Sequence, residues 1–145
     1  MIHLENKDIY YWQDIEEIVS SLAEQILKLE KQPLYLCGLP RGGLVPAVLL
    51  SHLTGIKYQQ INSISISKMA DLSHVLIIDD ICDSGKTLEN VKKTYPKART
   101  LTLFTKLSSS IQPDIYSKVV NDDKWIIFPW EKQSSETSRD NTPIL

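Results

Sequence analysis

Cysteine and histidine are scarce in this chain, with two and three copies among 145 residues. Cys37 and Cys82 stand in no metal-type spacing, and His3, His52 and His74 are scattered singly, which argues against a zinc site. Two thiols without a secretory leader point to a reducing, cytoplasmic setting, and the start MIHLENKDIY has no apolar core of a signal peptide. No apolar run approaches the ~20 residues that a membrane span needs. An excess of either charge is also missing. Sixteen Lys and Arg against eighteen Asp and Glu give a net charge of −2, which leaves no footprint for nucleic acid. There is no internal repeat. What is present is ordinary for one globular domain: 42% hydrophobic and 23% charged residues. The expected division is a single domain over 1–130 and a polar, mobile tail over 131–145 (EKQSSETSRDNTPIL).

Periodicity organises the rest. Residues 14–32 predict an amphipathic helix, with Ile15, Ile18, Val19, Leu22, Ile26 and Leu29 on one stripe. Asp14 with Glu17 reads as its capping pair, and Pro33 as its stop. LYLCGL (34–39) has the length of a buried strand. PRGGLVPAVLLSHLTG (40–55) is a glycine turn feeding an apolar helix, with Pro46 in the first turn and Gly55 as the C-terminal stop. Residues 57–67 alternate as a partly exposed strand, 75–80 (VLIIDD) form a second buried strand, and 85–95 a helix. Residues 98–106 give a third strand, with short candidates at 116–120 and 125–128. This alternation predicts an α/β domain with a largely parallel sheet flanked by helices. Ligands of such sheets sit beyond the strands' carboxyl ends, where the turns 40–43 and 79–87 would face one crevice.

The stretch VLIIDDICDSGKTL (75–88) carries the chemistry. Asp83-Ser84-Gly85-Lys86-Thr87 leads from a strand into a helix and points backbone N–H groups and hydroxyls at one spot, an anion site. A triphosphate loop is excluded, because the glycine it needs five residues before Gly85 is Asp80. Asp79, Asp80 and Asp83 beside an anion site suit a sugar phosphate. Carboxylates accept from vicinal hydroxyls and hold Mg²⁺ together with ligand oxygens, and a further carboxylate moves a proton or stabilises a developing cation.

VLIIDDICDSGKT resembles the signature of the type I phosphoribosyltransferases, which bind phosphoribosyl pyrophosphate (PRPP). PRGGLVPAVLL, TLFTK and DDKWIIFPWE resemble, in order, the pyrophosphate loop, purine-contacting strand and base-stacking segment of the family's bacterial xanthine-guanine branch, over about residues 34–131. The resemblance implies that family's Rossmann-like fold and Mg²⁺-dependent transfer to guanine, xanthine or hypoxanthine. It places Asp79 and Asp80 on the ribose hydroxyls, with Asp80 also near the metal, and Asp83 as acid/base at N7. Ser84, Gly85, Lys86 and Thr87 would cradle the 5′-phosphate; Pro40, Arg41, Gly42 and Gly43 would form the pyrophosphate turn. Lys106 would donate to the 6-oxo group, Trp125 would stack on the base, and the Ile126 carbonyl would meet the 2-substituent. Taken singly, Trp125 reads as a core aromatic, and Lys106 reads equally well as a solvated strand end or as a base-site donor. The resemblance also implies a homodimer or homotetramer.

Two departures stand out. The segment 61–75 is shorter than the family's mobile hood loop by roughly a dozen residues. Pro40 replaces a small residue before Arg41, and Leu39-Pro40 is a candidate for a cis bond. Besides purine transfer, two readings stay open: a regulatory protein that binds PRPP or a nucleotide without turnover, and a transferase with a non-standard acceptor.

Overall fold

VLIIDDIC and RTLTLFTK, the two longest strands, lie side by side in a parallel sheet, and burial on both faces explains their dense apolar character. The computed structural model describes residues 1–62 and 72–131. Its elements are β1 (Ile2–His3), β2 (Lys7–Ile9), α1 (Trp12–Leu27), β3 (Tyr35–Gly38), α2 (Leu44–Thr54) and β4 (Lys57–Tyr58). There follow β5 (Val75–Cys82), α3 (Lys86–Thr94), β6 (Arg99–Lys106), β7 (Ile115–Val120) and β8 (Trp125–Ile127). The main sheet runs β4-β3-β5-β6-β7 with every pair parallel. A second small sheet, β1-β2-β8, joins the N-terminal residues to the segment that carries Trp125.

The predicted α/β architecture is the observed one; several boundaries differ. Helix α1 buries Ile15, Ile18, Val19, Leu22, Ala23 and Ile26 as its period requires. It begins earlier than expected because Asp14 is not the cap. Its carboxylate instead accepts the Tyr11 backbone N–H at 2.7 Å. The helix ends at Leu27, well before Pro33: the Leu29 N–H tightens onto Ile26 O at 3.1 Å, and Gln32 Nε2 donates to Leu27 O at 2.8 Å. Helix α2 stops at Gly55 as predicted, with φ at 75°. Of the strand expected over 57–67, Lys57 and Tyr58 pair among the described residues; residues 63–71, which include most of the shortened loop segment, lie outside the described residues, as does the tail from 132.

Strand β6 buries Thr100, Thr102 and Thr105 beside its apolar residues, and each hydroxyl is bonded. Thr100 Oγ1 donates to Asp114 at 3.1 Å, Thr102 Oγ1 to Phe104 O at 2.8 Å, and Thr105 Oγ1 to Gln112 Oε1 at 2.8 Å. Both thiols are buried. Desolvation pushes Cys37 up to about 12 and also raises Cys82, helped there by the charges of Asp79 and Asp83. We expect neither thiol of the folded protein to react with Ellman's reagent at pH 8, and both to react after guanidinium is added. Fast labelling without denaturant would contradict this burial.

Candidate functional site

Parallel pairing places the C-terminal ends of β3, β5 and β6 along one edge of the sheet. The first turn leaves β3 there. Leu39 N–H donates to Ile78 O at 2.8 Å, and Gly43 N–H returns to Leu39 O at 2.9 Å. The cis bond of this turn lies between Pro40 and Arg41, one peptide later than the Leu39-Pro40 bond proposed from sequence. Arg41 is exposed, and Gly42 is pressed against the acid pair: a Cβ there would stand 2.3 Å from Asp80 Oδ2. The two turns therefore do meet in one crevice.

The acid pair stands within β5 rather than after it. Ile81 and Cys82 still pair with Phe104 and Thr105, so the strand runs two residues beyond its predicted end at 80. Each carboxylate is oriented by the next amide along the chain. Asp79 Oδ1 accepts from Asp80 N at 2.9 Å, and the buried Asp80 accepts from Ile81 N at 2.8 Å.

The chain then turns at Asp83 and Ser84, and Gly85 enters α3 with φ at 93°. Glu89 N–H reaches back to Gly85 O at 2.9 Å, the first intrahelical bond. The amides of 86–88 have no carbonyl one turn behind them, and the helix dipole adds to the positive potential they create. Ser84, Lys86 and Thr87 are exposed around this point. The exposed residues Ser84, Lys86 and Thr87 thus flank the N-terminus of α3, whose backbone amides favour an anion.

Lys106, at the end of β6, is buried, and it is not a solvated strand end. Its Nζ lies 3.1 Å from Asp83 Oδ1 and donates to Asp122 O at 3.1 Å. Asp83 keeps 43% of its side chain exposed, so the pair is open to solvent on the Asp83 side. Trp125 follows Asp122 by three positions, half-buried in β8, with its backbone N–H donating to Asn6 O at 3.0 Å. Ile126 is fully buried in register with Asp8 of β2. The structure thus joins Asp80 to the first turn, and Asp83 to Lys106 and the approach to β8. A separate hollow of about 230 Å³, lined by residues including Tyr10, Asp14, Ile18 and Lys118, contains none of these groups. Sequence reasoning passed over Asp122, Ser110 and Gln112, which hold Lys106 and the phosphate turn in place; a run of serines after a strand signals only a polar loop.

Comparison with known proteins points to one family. A family model described as phosphoribosyl transferase domain matches residues 52–136. The xanthine-guanine phosphoribosyltransferase of Cereibacter sphaeroides is 38% identical over 111 residues, 65% of this chain; the match spans 66% of that relative, just under two thirds of its length. The protein of the same description from Vibrio atlanticus is 29% identical over 91% of this chain and 94% of its own. Among solved structures, a purine phosphoribosyltransferase of Pyrococcus horikoshii aligns with a TM-score of 0.71 at 31% identity, covering 97% of this chain and 98% of its own.

Proposed function

Because this chain belongs to the phosphoribosyltransferase family, we propose that it transfers the phosphoribosyl group of PRPP to a 6-oxopurine, forming the nucleoside monophosphate and pyrophosphate. The observation that carries this reading is the Lys106–Asp83 pair, held 3.1 Å apart beside the phosphate turn. An ammonium and a carboxylate so placed complement one purine edge: Lys106 donates to the 6-oxo oxygen while Asp83 faces N7 and handles its proton. Adenine presents an amino group at that position and gives Lys106 no acceptor. Trp125 supplies a stacking face and Ile126 a backbone contact for the 2-substituent.

The remaining roles follow from position. The turn 83–87 and the N-terminus of α3 take the 5′-phosphate, Asp79 and Asp80 take the ribose hydroxyls, and the turn 40–43, with Arg41, takes the pyrophosphate. In the reaction the bond from C1′ to the pyrophosphate oxygen breaks, N9 of the purine forms the new bond, and positive charge builds on the ribose between these events. Fixed carboxylates along the crevice stabilise that charge, so the protein contributes positioning and electrostatics.

Among the described residues there is no group of three or more His, Cys, Asp or Glu set to hold a metal. The adjacent carboxylates of Asp79 and Asp80 suit Mg²⁺ held through one or two carboxylates and substrate oxygens, with Asp80 as the protein ligand. Mg²⁺ held there would offset the negative charge of the leaving pyrophosphate. A homo-oligomer is part of the same proposal, supported by α2, an apolar helix that leaves Val48 and Leu53 exposed. The unpaired, buried thiols suit a cytoplasmic location.

The test is a base panel. Incubation with PRPP, Mg²⁺ and guanine, xanthine, hypoxanthine or adenine should yield nucleotide and pyrophosphate with at least one 6-oxopurine, and kcat/KM at least about 100-fold lower with adenine. PRPP binding without any product would favour a regulatory protein, and a product only with another acceptor would move the specificity.

A further inference from the structure

We propose that the loop following β6, residues 107–112, is a bracket that sets the spacing between the phosphate turn and Lys106, with Ser110 and Gln112 as positioning residues for opposite ends of a nucleotide. The inference rests on the nucleotide reading of the site and goes beyond it, since neither residue need touch a ligand.

The run Leu-Ser-Ser-Ser-Ile-Gln resembles a solvated loop, yet each of its serine hydroxyls donates to a protein acceptor. Ser108 Oγ reaches Asp122 Oδ1 at 2.8 Å, Ser109 Oγ reaches Ile111 O at 2.8 Å, and Ser110 Oγ reaches Ser84 O at 3.0 Å. Ser110 also gives its backbone N–H to the same Ser84 carbonyl at 3.0 Å, so both lone pairs of that oxygen are taken by one residue. Ser110 Oγ further occupies the space beside Gly85, where a Cβ would come within 2.5 Å of it. This end of the loop grips the phosphate turn.

The other end grips β6. Gln112 Nε2 donates to Lys106 O at 3.0 Å and to Ser109 Oγ at 2.8 Å, while its Oε1 accepts from buried Thr105 at 2.8 Å. Ser108 ties the loop to Asp122, whose carbonyl receives Lys106 Nζ. One short loop is therefore bonded to the phosphate turn, to the strand end bearing the base-reading lysine, and to the segment that enters β8. A nucleotide spans phosphate to base, and its two ends engage together only when that spacing is held.

Calorimetry on the full chain separates the two ends without relying on turnover. Ribose 5-phosphate reports the phosphate and ribose end without the base, and GMP reports both ends. Ser110→Ala should weaken both ligands by about threefold, the value of one lost hydrogen bond. Gln112→Ala, which loses three, should weaken GMP by about tenfold and leave ribose 5-phosphate within about twofold of wild type. Should the alanine variant not fold, Gln112→Glu keeps the acceptor for Thr105 and removes the donor to Lys106 O, and the same split is expected. A Gln112 variant that shifts both ligands alike, or neither, overturns the bracket. Wild-type protein that binds neither ligand overturns the nucleotide reading itself, and the bracket's role with it.

Discussion

Asp83→Asn lowers kcat for phosphoribosyl transfer by about 100-fold or more, while PRPP affinity stays within about threefold of wild type. Asparagine keeps the size and most of the hydrogen-bonding capacity of the carboxylate, so the turn into α3 is undisturbed. What it loses is the ability to exchange a proton with N7 and the negative charge opposite a cationic ribose. Lys106 loses its ionic partner as well, but it retains the Asp122 carbonyl at 3.1 Å and stays in place. The proposed phosphate cradle, the amides that open α3 with Ser84, Lys86 and Thr87, is untouched. Steady-state kinetics with the preferred purine and calorimetry with PRPP give the two numbers. A kcat within about threefold of wild type would remove Asp83 from the chemistry.

Gly43→Ala is expected to be the most destabilising single-methyl change in the crevice. The dihedrals of Gly43, φ −79° and ψ −12°, suit any residue, so the cost is steric and not conformational. A Cβ there would stand 2.1 Å from Ile78 O, 2.8 Å from Leu39 N and 2.9 Å from Leu39 O. All three are backbone atoms, and two of them form the hydrogen bond that fastens the turn after β3 to β5. No rotamer change can relieve the overlap; the turn must move away from the sheet. A loss of about 3 kcal/mol or more follows, with a fall in Tm of about 10 °C by calorimetric scanning. Gly55→Ala is the comparison. Its φ of 75° disfavours a side chain, but nothing lies within 4 Å, so the cost is about 1 kcal/mol. A Gly43→Ala protein as stable as the Gly55→Ala protein would contradict the close contact between turn and strand.

How much of this was legible in the sequence depended on how local each feature is. Helix α2 stops at Gly55 as read because a left-handed C-cap is written in one residue. The end of α1 was misplaced because Pro33 is a later barrier than the one used, the Gln32 side chain closing on Leu27 O. Strand β5 outruns its acid pair because β6 lies alongside to pair with Ile81 and Cys82. The strands β1 and β2 are too short to show a period, and β2 finds its parallel partner in β8, at the opposite end of the described chain.

The sequence alone dictates the strand–turn–helix unit of β5, Asp83–Gly85 and α3. Strand, acids, Asp83 and Ser-Gly-Lys-Thr are contiguous, and a helix N-terminus makes an anion site from its own backbone. It also determined the α/β architecture, through the alternation of apolar runs and amphipathic helices. Folding alone sets Gly42 against Asp80, Lys106 between Asp83 and Asp122, and Ser110 onto Ser84. Those contacts join residues from separate strands and turns. They arise when the parallel sheet brings its C-terminal ends to one edge, and no local pattern in the chain encodes which atoms then meet.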